Sequence, residues 1–288
     1  MFHKDNCSPD SEKESISCIS TKLLQKIYKI IFGKSGKKLS KKQLHSKISK
    51  ELGKQTECSK EACWMTLDMV KKKLTSQEKT MLKNSFRPLM PKEWDKNPKM
   101  WLNTLNIDNV MKQYQKKYKD FRYLGATPID FDLQVEDKCV VSDLCSLDIE
   151  TMYKQEKCKR IGIVFNTDGH KGSGKHWFSM YVDLCGKNMK QQPKIYYYDS
   201  AETKRIPKEI YRLIQTIQEQ FKKMYSGKKT IDIVYNDRIH QKKNTECGIY
   251  SIHFLDHMVR NKSFFEYINS DPSDEEMNRM RKKYFVKL

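Results

Sequence analysis

No apolar run in this sequence approaches the length needed to span a bilayer, and nothing at its start reads as a signal peptide. Membrane-embedded and secreted classes are therefore not expected. No internal repeat is visible either. The nine cysteines are odd in number and irregularly spaced, which argues against a disulfide framework. The expectation is a reducing, intracellular setting with free thiols. Cys58 with Cys63, and Cys139 with Cys145, lack the second ligand pair that a zinc site needs. Gly172-Ser-Gly-Lys175 lacks the spacing of a phosphate-binding loop and reads as a turn. Arginine is scarce, 9 residues against 47 lysines, and lysine is the weaker choice for bidentate reading of bases or phosphates.

What is present is ample for a packed core. The chain has 288 residues, 38% of them hydrophobic and 11% aromatic, so wholesale disorder is not expected. The formal net charge of +20 draws the protein toward polyanions. With so few arginines this reads first as a solvated lysine surface, and second as a weak nucleic-acid contact.

Hydrophobic periodicity predicts a helix over 21–32, a second over 40–52 and a third over 60–74, after a polar, poorly ordered stretch over 1–18. Pro88, Pro91 and Pro98 then read as a linker or irregular crossing. The expected organisation is a basic helical arm over 1–90 and a main domain over 91–288. Within the latter, helices are predicted over 105–118, 207–225 and from Cys247 to about Arg260. Strands are predicted over 160–165, 177–184, 194–198 and 231–235. The expected fold class is α+β, a central mixed β-sheet flanked by helices, with the N-terminal helical arm attached.

Three short segments carry the chemistry: Gly174-Lys-His-Trp177, Tyr198-Asp-Ser200, and Gln241 followed by Thr245-Glu-Cys-Gly248. Cys247 needs a reason to lose its proton, since the thiolate is the nucleophile. The predicted helix start supplies one, and His176 at a strand entrance supplies another as base. Asp199, ending the next strand, would orient the imidazole and stabilise its protonated form. Gln241 would offer a side-chain N–H to the oxyanion alongside the Cys247 backbone N–H. His240 suits a structural role better than that of a base. His253 and His257 have metal-like spacing without a third ligand. Asp168 reads as a turn residue.

His176-Trp177, Asp199-Ser200 and Gln241-x5-Cys247-Gly248 resemble the SUMO-protease and adenovirus-protease superfamily of cysteine peptidases. Asn166-Thr-Asp168, Gly172-Ser-Gly-Lys-His-Trp177 and Arg238-Ile-His-Gln-Lys-Lys-Asn-Thr-Glu-Cys-Gly248 sharpen the likeness toward the polyprotein-processing proteases of African swine fever virus and related large DNA viruses. The resemblance is strong over 160–260 and weak over 1–100. It implies a maturation protease that cuts structural polyproteins after Gly-Gly, in host cytoplasmic assembly sites and in the virion, without a cofactor or metal. It also implies that Trp177 lies over a narrow channel admitting only glycines. The swine fever enzyme carries Asn at the position of Asp199, where this chain looks more like the SUMO proteases. Rival expectations are a protease that deconjugates ubiquitin-like modifiers, an acetyltransferase on the same triad, and a basic nucleic-acid-binding structural protein.

Overall fold

A computed structural model describes residues 7–9, 16–58, 60–188, 192–203 and 205–288. The chain forms two units, Met1–Lys96 with Arg281–Leu288, and Asn97–Met280. The division thus falls at Lys96/Asn97 and returns the last eight residues to the N-terminal unit. No helix among the described residues is long and apolar enough to cross a membrane.

In the N-terminal unit, α1 (Thr21–Phe32) begins at Ser20, whose hydroxyl accepts the Leu23 N–H, and stops at Gly33 in the left-handed conformation. A Ser40/Gln43 capping box starts α2 (Lys41–Gln55). The helix expected over 60–74 is broken. A 3-10 segment, Glu61–Thr66, is followed by extended Leu67 and the short α3 (Asp68–Lys71). The helix α4 (Ser76–Asn84), opened by a Thr75/Glu78 box, was not expected. Leu24, Ile27, Leu44, Ile48, Leu52, Trp64, Leu82 and Val286 join in one core. The proline-rich stretch is not a free linker, because Met90 N–H donates to Val286 O and Val286 N–H to Pro88 O, each at 2.9 Å. Of residues 1–18, expected to be poorly ordered, 1–6 and 10–15 lie outside the described residues, while Cys7 bridges to Phe86 and Cys18 is buried.

The expectation of free thiols fails for six of the nine cysteines. Cys7–Cys18, Cys58–Cys63 and Cys139–Cys145 are disulfides, and Cys158, Cys185 and Cys247 are free. The partners in each pair are at most 11 residues apart. Local turns bring them together with no regular spacing for a sequence count to register, so the cysteine count does not report the redox compartment.

The second unit is built around a sheet. It begins with α5 (Thr104–Lys117), capped by Asn103 and Asn106. Then come β1 (Phe121–Pro128), the small hairpin β2 (Gln134–Val135) and β3 (Lys138–Cys139), and two short helices, α6 (Ser142–Cys145) and α7 (Ile149–Lys154). There follow β4 (Arg160–Asn166), β5 (Trp177–Asp183), β6 (Lys194–Tyr198), α8 (Lys208–Met224), β7 (Asp232–Tyr235), α9 (Cys247–Val259) and α10 (Phe264–Asn269). The unit boundary at Met280/Arg281 falls within α11 (Asp274–Tyr284). The strand order is β1-β4-β5-β6-β7, parallel at both edges and antiparallel within, so the sheet is mixed and the class α+β.

Every residue of β4 and β5 is buried, as expected when helices cover both faces. On one face Phe165, Phe178, Met180 and Tyr197 pack with Ile210, Ile214, Ile217 and Phe221 of α8. On the other, Tyr198 stacks on Phe254 of α9 and Tyr196 on Phe264 of α10, with ring centroids 4.9 and 5.2 Å apart. Gly162 is where α9 and Phe121 close on the sheet; a Cβ there would lie 2.7 Å from Phe121 Cζ and 3.4 Å from Leu255 Cδ2. The far end of α9 is held by Arg160, buried to 2% exposure, which donates to Val259 O at 2.6 Å and pairs with Asp120. A cation on those last carbonyls complements the helix dipole.

Candidate active site

The five residues singled out from sequence converge at one edge of the sheet. The β4–β5 pairing sets Asn166 opposite Trp177, and the Thr167 N–H donates to His176 O at 2.9 Å. His176 therefore stands at the entrance to β5. The loop before it is tied by Asn166 Oδ1, which accepts the Asp168 and Lys175 N–H groups at 2.9 and 3.1 Å, and by Asp168 Oδ2, which accepts from Gly174 at 3.1 Å. Asp168 is the turn residue expected. Gly174 takes φ +88°, which a residue with a side chain rarely adopts.

Because β6 runs antiparallel to β5, its end returns to the same edge, and Asp199 follows directly on Tyr198. Asp199 Oδ1 lies 2.6 Å from His176 Nε2. Cys247 is the second group that acts on the His176 ring, and with Nε2 engaged by the carboxylate, Nδ1 is the nitrogen left for the thiol. Burial pulls the His176 pKa down, but the hydrogen bonds to Asp199 and Cys247, with the charges of both, outweigh it and push it up to about 10. The imidazolium is thus the resting form at neutral pH.

Cys247 is the first residue of α9 and 3% exposed. Its backbone N–H has no intrahelical acceptor by position, and the thiol stands in the positive field of the helix start. Gly248 leaves no room beside it, since a Cβ there would lie 3.0 Å from Leu102 Cβ and 3.3 Å from Trp177 Cδ1. Trp177 is buried and its indole N–H donates to Leu102 O at 2.9 Å.

Gln241 is held by its neighbours. Its backbone N–H donates to Ser200 O at 2.8 Å, and its Oε1 accepts from the Ser200 hydroxyl at 2.8 Å. This fixes which end of the amide is the donor. One Nε2 hydrogen goes to Lys243 O, leaving a second for a ligand. His240 is buried between the Tyr198 hydroxyl, 2.9 Å from Nδ1, and Ile268 O, 3.1 Å from Nε2. Burial lowers its pKa, so it serves as a neutral strut. His257 Nε2 lies 2.8 Å from Ser263 O, and His253 Nδ1 lies 3.3 Å from the Tyr267 hydroxyl.

Three contributions escaped the sequence reading. Asn236, 1% exposed, accepts the Asp199 N–H at 3.0 Å and donates to Asp199 O at 2.7 Å, clamping the carboxylate's backbone. Asp274 accepts the N–H groups of Lys242 and Lys243 at 3.0 Å each, fixing the Gln241 segment from the other side. Ser200 was quoted in the motif with Asp199, but its hydroxyl's hold on the Gln241 amide was not read. Trp101 precedes Leu102 and is 43% exposed, with Met100 and Leu105 also exposed.

The family model of the Ulp1 protease family, C-terminal catalytic domain, matches residues 142–288. A thiol protease of Acanthamoeba polyphaga mimivirus, R355, is 30% identical over 254 residues, 88% of this chain and 76% of that protein. The SUMO-1 cysteine protease S273R of African swine fever virus is 29% identical over 256 residues, 84% of this chain and 90% of that one. The crystal structure of the African swine fever virus pS273R protease superposes with a TM-score of 0.69 at 24% identity, covering 98% of this chain and 96% of that chain. That likeness speaks to the fold.

Proposed function

Since the chain belongs to the Ulp1 protease family and is a cysteine protease of the kind found in large DNA viruses, we propose that it is an endopeptidase that cuts viral structural polyproteins after Gly-Gly during virion maturation. The observation that carries this reading is the 2.6 Å contact of Asp199 with His176, whose charged form Cys247 also favours, with the amide of Gln241 oriented by Ser200.

In this mechanism the Cys247 thiolate attacks the carbonyl carbon of the glycine before the cut. The oxyanion so formed accepts from the second Gln241 Nε2–H and the Cys247 backbone N–H. His176, charged at rest, gives its proton to the leaving amine as the C–N bond breaks. It then takes a proton from water, whose oxygen attacks the thioester, and the thiol leaves as the carboxylate product forms. Asp199 keeps the ring in place throughout. The crowding of Gly248, Leu102 and Trp177, with exposed Trp101 beside them, supports a narrow approach in which side chains next to the cut would clash. The lysine-rich N-terminal unit is available for a weak polyanion contact, and the reading carries with it action in host cytoplasm and in the particle.

The test is to incubate the protein, and Cys247→Ala, with a capsid-type polyprotein fragment containing Gly-Gly and with a SUMO or ubiquitin fusion. Cys247-dependent cutting of the fragment alone is expected. Cutting of the fusion alone would replace this reading with modifier deconjugation.

A further inference from the structure

A cleft of about 590 Å³ opens on the side of His176 and Asp199 that faces away from the thiol. Both residues line it, and its floor is Phe178 and Tyr197, which belong to the sheet face packed against α8. Cys247 starts α9, on the opposite face. The cleft therefore lies across the imidazole from the nucleophile. Its remaining walls come from Thr167, Glu202 and residues 205–209, with Ile206 and Pro207 apolar and Glu202, Arg205, Lys208 and Glu209 charged.

One polar atom in it is unaccounted for. Tyr197 is 3% exposed, and its hydroxyl has no hydrogen-bond partner among the described residues. Buried hydroxyls are rarely left so. The volume is in the usual range for a bound ligand of one or two residues' size.

The reaction says which ligand. The leaving nitrogen takes its proton from His176 and must lie within hydrogen-bond reach of the ring. The peptide that follows the cut thus begins beside His176, and its next residues pass over the edge of this cleft. Resting on the endopeptidase reading above, we propose that the cleft is the subsite for the residues after the cut, and that it selects a large side chain with an apolar body and a hydrogen-bonding end. The body packs on Phe178, Ile206 and Pro207, and the end meets the Tyr197 hydroxyl.

The experiment uses three substrates with one shared acyl part ending in Gly-Gly. The first continues past the cut with a glutamine-bearing segment, the second with an all-alanine segment, and the third ends in aminomethylcoumarin. The wild-type protein is expected to favour the glutamine peptide over the alanine peptide in kcat/KM. Tyr197→Phe, which removes only the hydroxyl, is expected to cut that preference by roughly 3- to 10-fold. Ile206→Trp, which fills the cleft, is expected to abolish it. Preferences that stay at the wild-type value in both variants, or all three substrates falling by one common factor, would overturn the subsite. Failure of the wild-type protein to cut even the coumarin substrate would instead sink the endopeptidase reading on which the subsite stands.

Discussion

Replacing Asp199 by Asn probes the electrostatics of the site while keeping a carbonyl oxygen in place for the imidazole N–H. The shift of His176 from 6.5 to about 10 is worth on the order of 5 kcal/mol in favour of the imidazolium, at about 1.36 kcal/mol per unit. It is achieved against desolvation, with the Asp199 hydrogen bond at 2.6 Å as the leading favourable contribution. Losing a carboxylate at that distance is expected to lower the value by about 1 to 3 units. The reactive state is the thiolate–imidazolium pair, so the alkaline limb of kcat/KM should move from near 10 in the wild-type protein to roughly 7 to 9 in Asp199→Asn. Stability should follow the same sign. A raised folded-state value means that the imidazolium's contribution is complete below the unfolded value near 6.5 and is lost as pH rises through about 10. The variant should therefore lose most stability near neutrality and converge with the wild type in strong alkali. The assay is a pH profile from about 5 to 11 with thermal melts at each point. An alkaline limb that stays put in the variant would refute the assignment of the carboxylate as the source of the shift.

Three further predictions follow from contacts described above. Ser200→Ala removes the hydroxyl that orients the Gln241 amide and should lower kcat roughly tenfold with KM little changed, while Ser200→Thr recovers much of it. Gly248→Ala pushes a methyl group against Leu102 and Trp177. It should cost about 1 to 3 kcal/mol in denaturant melts and reduce kcat by up to roughly 100-fold through displacement of Cys247. Arg160→Met takes the buried donor from the Val259 carbonyl and one of two cations from Asp120, which keeps Lys187, and should cost about 1 to 3 kcal/mol in the same melts.

The elements that the sequence revealed are those with uninterrupted periods. The helices around Leu24, Val110, Ile214 and Leu255, and the strands around Ile163, Met180 and Tyr196, each place a regular apolar set on a face. The edge strand β1 was missed because Leu124-Gly125-Ala126, where the pairing shifts register, and Pro128 break its alternation; only its parallel pairing with β4 makes it a strand. The helix expected over 60–74 failed at Leu67, whose extended backbone splits a good helical pattern in two. The positions that the structure brings together at the site were legible because their chemistry is local to three short motifs. Asn236 and Asp274 were not, since an amide or carboxylate that fixes a distant backbone carries no local mark. The disulfides were hidden for a related reason, because pairing depends on turns rather than spacing.

The pairing of β5 with its neighbours has a consequence for engineering the chain. His176 and Asp199 stand at adjacent strand ends on one edge of the sheet, and the connection from β5 to β6 lies at the other. A residue inserted within β5 would shift its register by one and turn every side chain on one side of the insertion to the opposite face. The connection after Asp183 is no freer, since Leu184 is buried and Asn188 donates to Met258 O and Lys262 O at 2.7 and 2.8 Å. Both ends of the strand therefore resist insertion, and a purification or reporter epitope belongs outside the stretch from β4 to β6.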